Sequence, residues 1–159
     1  MKEIAISYFY QIRNFKPYMI PVSTACFDPK WYHDFKGPNY TFLDKRGVVN
    51  GLRCEELHPD DSCKGLCCGD PNCKEKEQNQ CPFLLQYRKQ LEKIDINLFL
   101  KRAEKSLQIL KEQLHLTTEP LLVLIVYEAP SNPCSERQVL IDYFNSKGID
   151  CQELKYPIL

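Results

Sequence analysis

Leu121-Leu-Val-Leu-Ile-Val-Tyr-Glu-Ala-Pro-Ser-Asn-Pro-Cys-Ser-Glu-Arg137 is the stretch on which the fold turns. Its first seven residues are apolar without alternation, and a strand apolar on both faces is typical of a parallel sheet covered by helices. Ala129-Pro-Ser-Asn-Pro133 supplies the turn. The pattern that follows predicts a helix from about Ser135 to Lys147, stopped by Gly148, and a last strand near Ile149 to Leu154. Strand, helix and strand in that order make a βαβ unit, whose crossover is expected to be right-handed.

Working toward the N-terminus, Ile96, Phe99, Leu100, Ala103, Leu107, Leu110 and Leu114 recur at helical spacing behind Asp95, a good N-cap. They predict a helix from Ile96 to His115. Its other face (Lys101, Arg102, Glu104, Lys105, Lys111, Glu112) reads as solvated. Leu84, Leu85, Tyr87, Arg88 and Leu91 predict a shorter helix. Glu3–Tyr10 and Tyr18–Ser23 are short, apolar and rich in β-formers, and so predict two further strands. From Thr24 to about Asn50 no period holds, and Pro29, Gly37, Pro38, Asn39 and Gly47 mark a loop with room for a short helix or strand. The expected architecture is one α/β domain over residues 1–159. It is a mostly parallel sheet flanked by helices, Rossmann-like and three-layered, with an irregular cysteine-rich loop.

Composition agrees with a globular chain: 159 residues, 43% hydrophobic and 26% charged. Lysine and arginine number 21, as do aspartate and glutamate, so no global field draws the chain to nucleic acid or an anionic membrane. The apolar run 121–127 is far short of the ~20 residues needed to span a bilayer. The first residues, Met-Lys-Glu-Ile-Ala-Ile-Ser, lack the long apolar segment of a secretion signal, which leads to the expectation of a soluble, cytoplasmic protein.

Six of the nine cysteines fall between positions 54 and 81, within a polar segment of about 51–82 that has almost no apolar residues to build a core. An odd count without an export signal argues against a disulfide framework, and clustered thiols in a reducing compartment point to a metal. Cys63, Cys67, Cys73 and Cys81 are the expected ligands, with Cys68 and Cys54 as alternates and His58 as a less favoured substitute. Gly65 and Gly69 permit the tight turns that a tetrahedral zinc site requires. An iron–sulfur cluster is the alternative, since it also takes four thiolates and since Cys81-Pro82 has a ferredoxin-like ending. Unligated, reduced thiols are the plainer reading.

In an open α/β sheet, ligands bind beyond the carboxyl ends of the strands, where Glu128 to Arg137 is expected to lie. Cys134 would sit near a helix N-terminus, where unpaired amides and Arg137 favour the thiolate and can hold a phosphate or carboxylate. Glu128 would act as general acid or base, or simply cap the turn. The plainer reading makes Cys134 a small residue of the first turn, Ser135 a cap and Arg137 a surface charge. His33, His58 and His115 are all remote from Cys134 in sequence.

The buried strand followed by Tyr-Glu, Cys134-x-x-Arg137 and a helix resembles the C-terminal half of the domain-of-unknown-function family 488. Ile6-Ser-Tyr-Phe-Tyr, Pro21-Val-Ser23 and Pro29-Lys-Trp31 resemble that family's first two strands and the segment after them, so the likeness covers both ends of the chain. It implies a compact α/β fold and marks Ser23, Lys30, Trp31, Glu128, Cys134 and Arg137 as motif residues. Where the family commonly carries Cys-His-Arg, this chain has Cys134-Ser-Glu-Arg137, and the cysteine-rich stretch is outside the family pattern.

Together these readings lead us to expect a metal-binding α/β protein that holds a nucleotide, a nucleic-acid phosphate or another anionic ligand. Ser23, Lys30, Trp31, Ser135 and Arg137 would contact the ligand. One alternative is an enzyme with Cys134 as nucleophile, Arg137 stabilising the anion and Glu128 moving the proton. The others are an iron–sulfur redox protein and a noncatalytic adaptor that meets a partner through the cysteine-rich loop.

Overall fold

Among the described residues, four strands form one parallel sheet: β1 (Glu3–Tyr8), β2 (Met19–Ser23), β3 (Leu121–Val126) and β4 (Asp150–Glu153), in the order β2-β3-β1-β4. The computed structural model describes residues 1–33, 43–66, 80–132 and 134–155. Among these residues three α-helices accompany the sheet: α1 (Pro82–Glu92), α2 (Ile96–Gln113) and α3 (Arg137–Ser146). The expected α/β class and parallel sheet are both present.

β3 lies inside the sheet, with Leu122 opposite Ile4 of β1 and Ile20 of β2. Val123, Leu124, Ile125 and Val126 are fully buried, which is why this strand shows no polar alternation. Pro21 is tolerated in β2 because β2 is an edge of the named sheet, where one row of amides has no ladder partner to lose.

Alternate residues of the strands feed two separate cores. Ile4, Ile6, Leu122, Leu124 and Val126 pack with Leu84, Tyr87 and Leu91 of α1, Phe99 of α2, and Val139, Leu140, Tyr143 and Phe144 of α3. Ala5, Val123 and Ile125 face the other way, against Phe9, Ile12, Phe15, Tyr32 and Val48. The second core draws on short 3-10 helices at Phe9–Asn14 and Lys30–His33, and on none of the three α-helices. The α-helices therefore cover one face of the sheet, and among the described residues the other face carries 3-10 turns and loop. Residues 9 and 10, expected to continue the first strand, turn instead into the 3-10 helix, so that Phe9 stacks edge-on against Tyr32 at 5.3 Å.

The cysteine-rich segment is partly absorbed into this fold. Residues 52–54 lie beside the end of β2, where Ser23 N donates to Leu52 O at 2.9 Å and Cys54 N to Ser23 O at 2.9 Å. Leu57 is fully buried in the main core. Gln90 of α1 binds the carbonyls of Glu56 and His58 and accepts from Asp60 N, and the Tyr87 hydroxyl donates to Leu57 O. What holds residues 52–60 in place is thus hydrogen bonding to the sheet edge and to α1.

Candidate functional site

Past the carboxyl ends of β1 and β3 the alternation of side chains continues. Tyr8 packs on the helix-covered side and Phe9 on the other; Tyr127 touches Phe9, with ring centroids 6.1 Å apart. Glu128 follows Tyr127 and belongs to a polar centre on the helix-covered side.

That centre is built on the start of α3. Asn132 Oδ1 accepts from Cys134 N at 2.9 Å, and Ser135 Oγ accepts from Arg137 N at 3.2 Å. These side chains take up backbone donors ahead of the first helical turn, so the helix begins at Arg137, two residues later than expected. Ser135, Glu136 and Arg137 are all buried, Glu136 with 6% of its surface exposed and Arg137 with 8%. Arg137 Nε donates to Glu153 Oε2 at 2.6 Å and Nη2 donates to the Glu128 carbonyl at 2.8 Å, while the guanidinium lies 5.8 Å from the Tyr8 ring centroid.

Six buried side-chain polar atoms lack a hydrogen-bond partner among the described residues, and four belong here: Glu128 Oε2, Glu136 Oε2, Arg137 Nη1 and Glu153 Oε1. Buried polar atoms are almost always paired, so such a concentration sets this centre apart from the rest of the described residues. Burial, and after it the charge of Glu128, raises the Glu136 carboxyl to about 7. Burial also raises Glu153, although the Arg137 hydrogen bond and charge pull the other way. A carboxyl that holds its proton near neutrality can give or take one during a reaction.

A second network stands at the end of β2. Ser23 Oγ donates to Asp28 Oδ1 at 2.5 Å and accepts from Ala25 N at 3.2 Å. Arg53 Nη1 reaches Asp28 Oδ1 at 2.6 Å, Arg53 Nη2 reaches Ala25 O at 2.9 Å, and His33 Nε2 lies 2.7 Å from Asp28 Oδ2. His58 Nδ1 stands 3.2 Å from Arg53 and 3.0 Å from Ala25 O, so it either accepts from the guanidinium or donates to the carbonyl. Cys26 feels charges of both centres. Burial raises its thiol, followed by the charges of Glu136 and Glu128, while Arg53 lowers it.

Of the residues expected at the site, Glu128, Ser135 and Arg137 come together at the start of α3. Cys134 is half-buried beside them in sequence. Ser23 belongs to the Asp28 network. Lys30 is exposed at the start of a 3-10 helix, and Trp31 packs edge-on against Phe9 on the opposite side of the sheet. Sequence reasoning passed over Glu136, Glu153, Asp28, Arg53 and Cys26. Glu136 carried a legible signal, a carboxylate inside a polar run directly after a buried strand. Asp28 and Arg53 carried none, being 25 residues apart.

Of the expected metal ligands, Cys67, Cys73 and the alternate Cys68 lie outside the described residues. Cys63 and Cys81 are buried in the main core, against which Cys54 also packs. Burial raises the thiols of Cys54 and Cys63. Among the described residues, no group of three or more His, Cys, Asp or Glu side chains is placed to hold a metal ion. No helix among them is long and apolar enough to cross a membrane. Comparison with models of protein families, with curated proteins and with solved structures found no match to this chain, so its function has to be argued from the chemistry of these centres.

Proposed function

We propose that this protein binds a small polar ligand at the carboxyl edge of its sheet, in the centre formed by Glu128, Glu136, Arg137 and Glu153. The observation that carries the reading is the cluster of four buried, unpaired polar atoms on those residues. Three carboxyls stand around one guanidinium, so a bare anion there would meet more repulsion than attraction. The nucleotide or other anionic ligand expected at the Cys134–Arg137 turn therefore enters the proposal in a narrower form. It places an acceptor on Arg137 Nη1 and brings hydrogen-bond donors to the carboxyl oxygens. Glu136, protonated near neutrality, is the group best suited to move a proton on that ligand.

Calorimetric titration of the full chain with nucleoside monophosphates, free amino acids and inorganic phosphate tests this. The expected result is saturable binding of a ligand carrying both donors and acceptors, weaker by about tenfold or more in Arg137→Lys, with inorganic phosphate alone failing to bind. If phosphate binds as well as every donor-bearing ligand, or if Arg137→Lys changes nothing, the reading is wrong. Cys134→Ser then separates binding, which should survive, from nucleophilic catalysis, which should vanish.

The cysteine segment supports a second, separate proposal of a zinc ion held by Cys63, Cys67, Cys73 and Cys81. What favours it is the clustering of six cysteines between positions 54 and 81, with glycines between them. Elemental analysis after anaerobic purification should find about one zinc per chain. Iron with sulfide and a visible chromophore would replace zinc by a cluster, and absence of any metal would end the proposal.

A further inference from the structure

An open sheet ends in two strands whose outward N–H and C=O groups have no ladder partner, and an edge left in that state pairs with strands of other chains. In this sheet the edges are β2 and β4. Successive residues of a strand turn their backbone polar groups to opposite sides, so alternate residues of each edge strand face outward. At β2, Leu121 N donates to Tyr18 O at 2.8 Å and Thr24 N to Ile125 O at 2.9 Å, which leaves Met19, Pro21 and Ser23 facing away from β3. Their groups are taken up from within the chain. Met19 N donates to Lys16 O, and Ser23 donates to Leu52 O and accepts from Cys54 N. Pro21 has no N–H, and its carbonyl accepts from the buried Tyr32 hydroxyl at 3.1 Å.

β4 is closed by a single side chain. Asp150 N donates to Lys2 O and Leu154 N to Ile6 O, which turns the backbone groups of Cys151 outward, away from β1. Among the described residues no strand lies beyond them. Instead Asn145, on the last turn of α3, meets Cys151 with both polar atoms of its amide. Cys151 N donates to Asn145 Oδ1 at 2.9 Å, and Asn145 Nδ2 donates to Cys151 O at 3.2 Å. An amide that accepts and donates in this way reproduces the two bonds that a residue of an antiparallel neighbour would exchange with Cys151. Cys151 is fully buried although it stands on an edge strand, so water does not take the place of these bonds.

We infer that Asn145 guards the β4 edge, its amide standing where a strand from a second copy of this chain would otherwise pair. A second copy is the partner that fits, because two copies present the same edge and two β4 strands can meet antiparallel about a twofold axis, Cys151 facing Cys151. The β2 edge offers no such opening, since its outward groups are absent or bonded within the chain. The guard does not depend on the ligand proposed for the Glu136 centre. Asn145 is exposed, so its replacement by alanine removes the two bonds without opening a gap in the core.

Light scattering of the full chain across a concentration series, with thiols kept reduced and folding followed by circular dichroism, tests this. Folded Asn145→Ala should rise from the 18.7 kDa of one chain toward the mass of two, with a dissociation constant on the order of 100 μM and at least about tenfold below that of the wild type. A clamp that only steadied the turn after α3 would lower the melting temperature and leave the mass unchanged. A folded Asn145→Ala that associates no more than the wild type therefore overturns the inference. Asn145→Asp keeps the acceptor for Cys151 N and sets a like charge on both copies of the edge, so it should stay a single chain. Association of this variant as strong as that of Asn145→Ala would also overturn it. The wild type gives a check that needs no variant to fold. The Cys151 amide should exchange with solvent as slowly as the Gln152 amide, and exchange as fast as that of an exposed loop would remove the guard.

Discussion

Burial and the neighbouring Glu128 raise the Glu136 carboxyl from 4.5 to about 7, and this has a definite consequence for stability. Between those values the folded chain holds a proton that the unfolded chain has released, so stability falls as pH rises from 4.5 toward 7 and stays low above it. Glu136→Gln removes that burden. It should raise the melting temperature by several degrees at pH 8, on the order of 2–3 kcal/mol, with the gain shrinking toward pH 5. A thermal melt of both proteins across that range checks it, and a gain that did not depend on pH would contradict it. Asp28 runs the other way. Burial works against its charge, but hydrogen bonds from Ser23, Arg53 and His33 prevail and hold it below its ordinary 3.8. The stability it contributes is present above 3.8 and is lost as pH falls through its folded value. Asp28→Asn should cost roughly 3 kcal/mol at neutral pH, because it strands Arg53 beside a neutral amide, and the cost should narrow toward pH 3 in urea denaturation. Asp28 did not stand out along the chain, because a carboxylate's partners are set by what the fold brings to it. Asp28 and Arg53 meet only because residues 52–54 join the edge of β2.

Element ends show how much local chemistry the sequence displays. α3 stops where Gly148 predicts: Ile149 N donates to Phe144 O and Gly148 N to Asn145 O, both at about 3.0–3.1 Å, with Gly148 at φ +80°. That pairing closes the last turn through a left-handed residue, which glycine adopts without a steric cost. Gly148→Ala should lower stability by about 1 kcal/mol in urea denaturation. A Cβ there meets nothing within 4 Å, so the whole loss would come from the backbone angle, and an unchanged midpoint would refute that account. α2 begins where Asp95 predicts, its carboxylate accepting from Leu98 N at 3.1 Å. Caps are legible because the side chain and the amide it satisfies are three or four residues apart. The 3-10 helix Phe9–Asn14 was not legible. Its cause is the second core, which pulls Phe9 and Ile12 out of the strand direction, and no residue nearby announces it. The cysteine segment was misjudged in one respect for the same reason. Its poverty of apolar residues suggested that metal alone would hold it, yet Gln90 and Tyr87 of α1 fix residues 56–60 from more than 25 positions away.

Taken as a whole, the molecule has its strongest structure in the middle of the sheet. β1 and β3 are each paired on both sides and flanked by both cores, whereas β2 and β4 each have one strand partner. Hydrogen exchange should therefore be slowest at Ile4–Tyr8 and Leu122–Val126 and faster at Asp150–Glu153. Equal protection across all four strands would mean that the sheet opens only as one unit. The α/β class, the parallel setting of β3, the helices α1, α2 and α3 and the stop at Gly148 could all be read along the chain. Each of these follows from periodicity or capping within a dozen residues, where the apolar pattern of the chain is also the pattern of burial. Folding in three dimensions set the helices on one face of the sheet and, among the described residues, 3-10 turns on the other. It alone gathered four unpaired polar atoms of Glu128, Glu136, Arg137 and Glu153 into one centre and brought Arg53 to Asp28. Those groupings join residues that lie far apart along the chain. They exist because parallel strands deliver their carboxyl ends to one edge, and no local pattern encodes which side chains meet there.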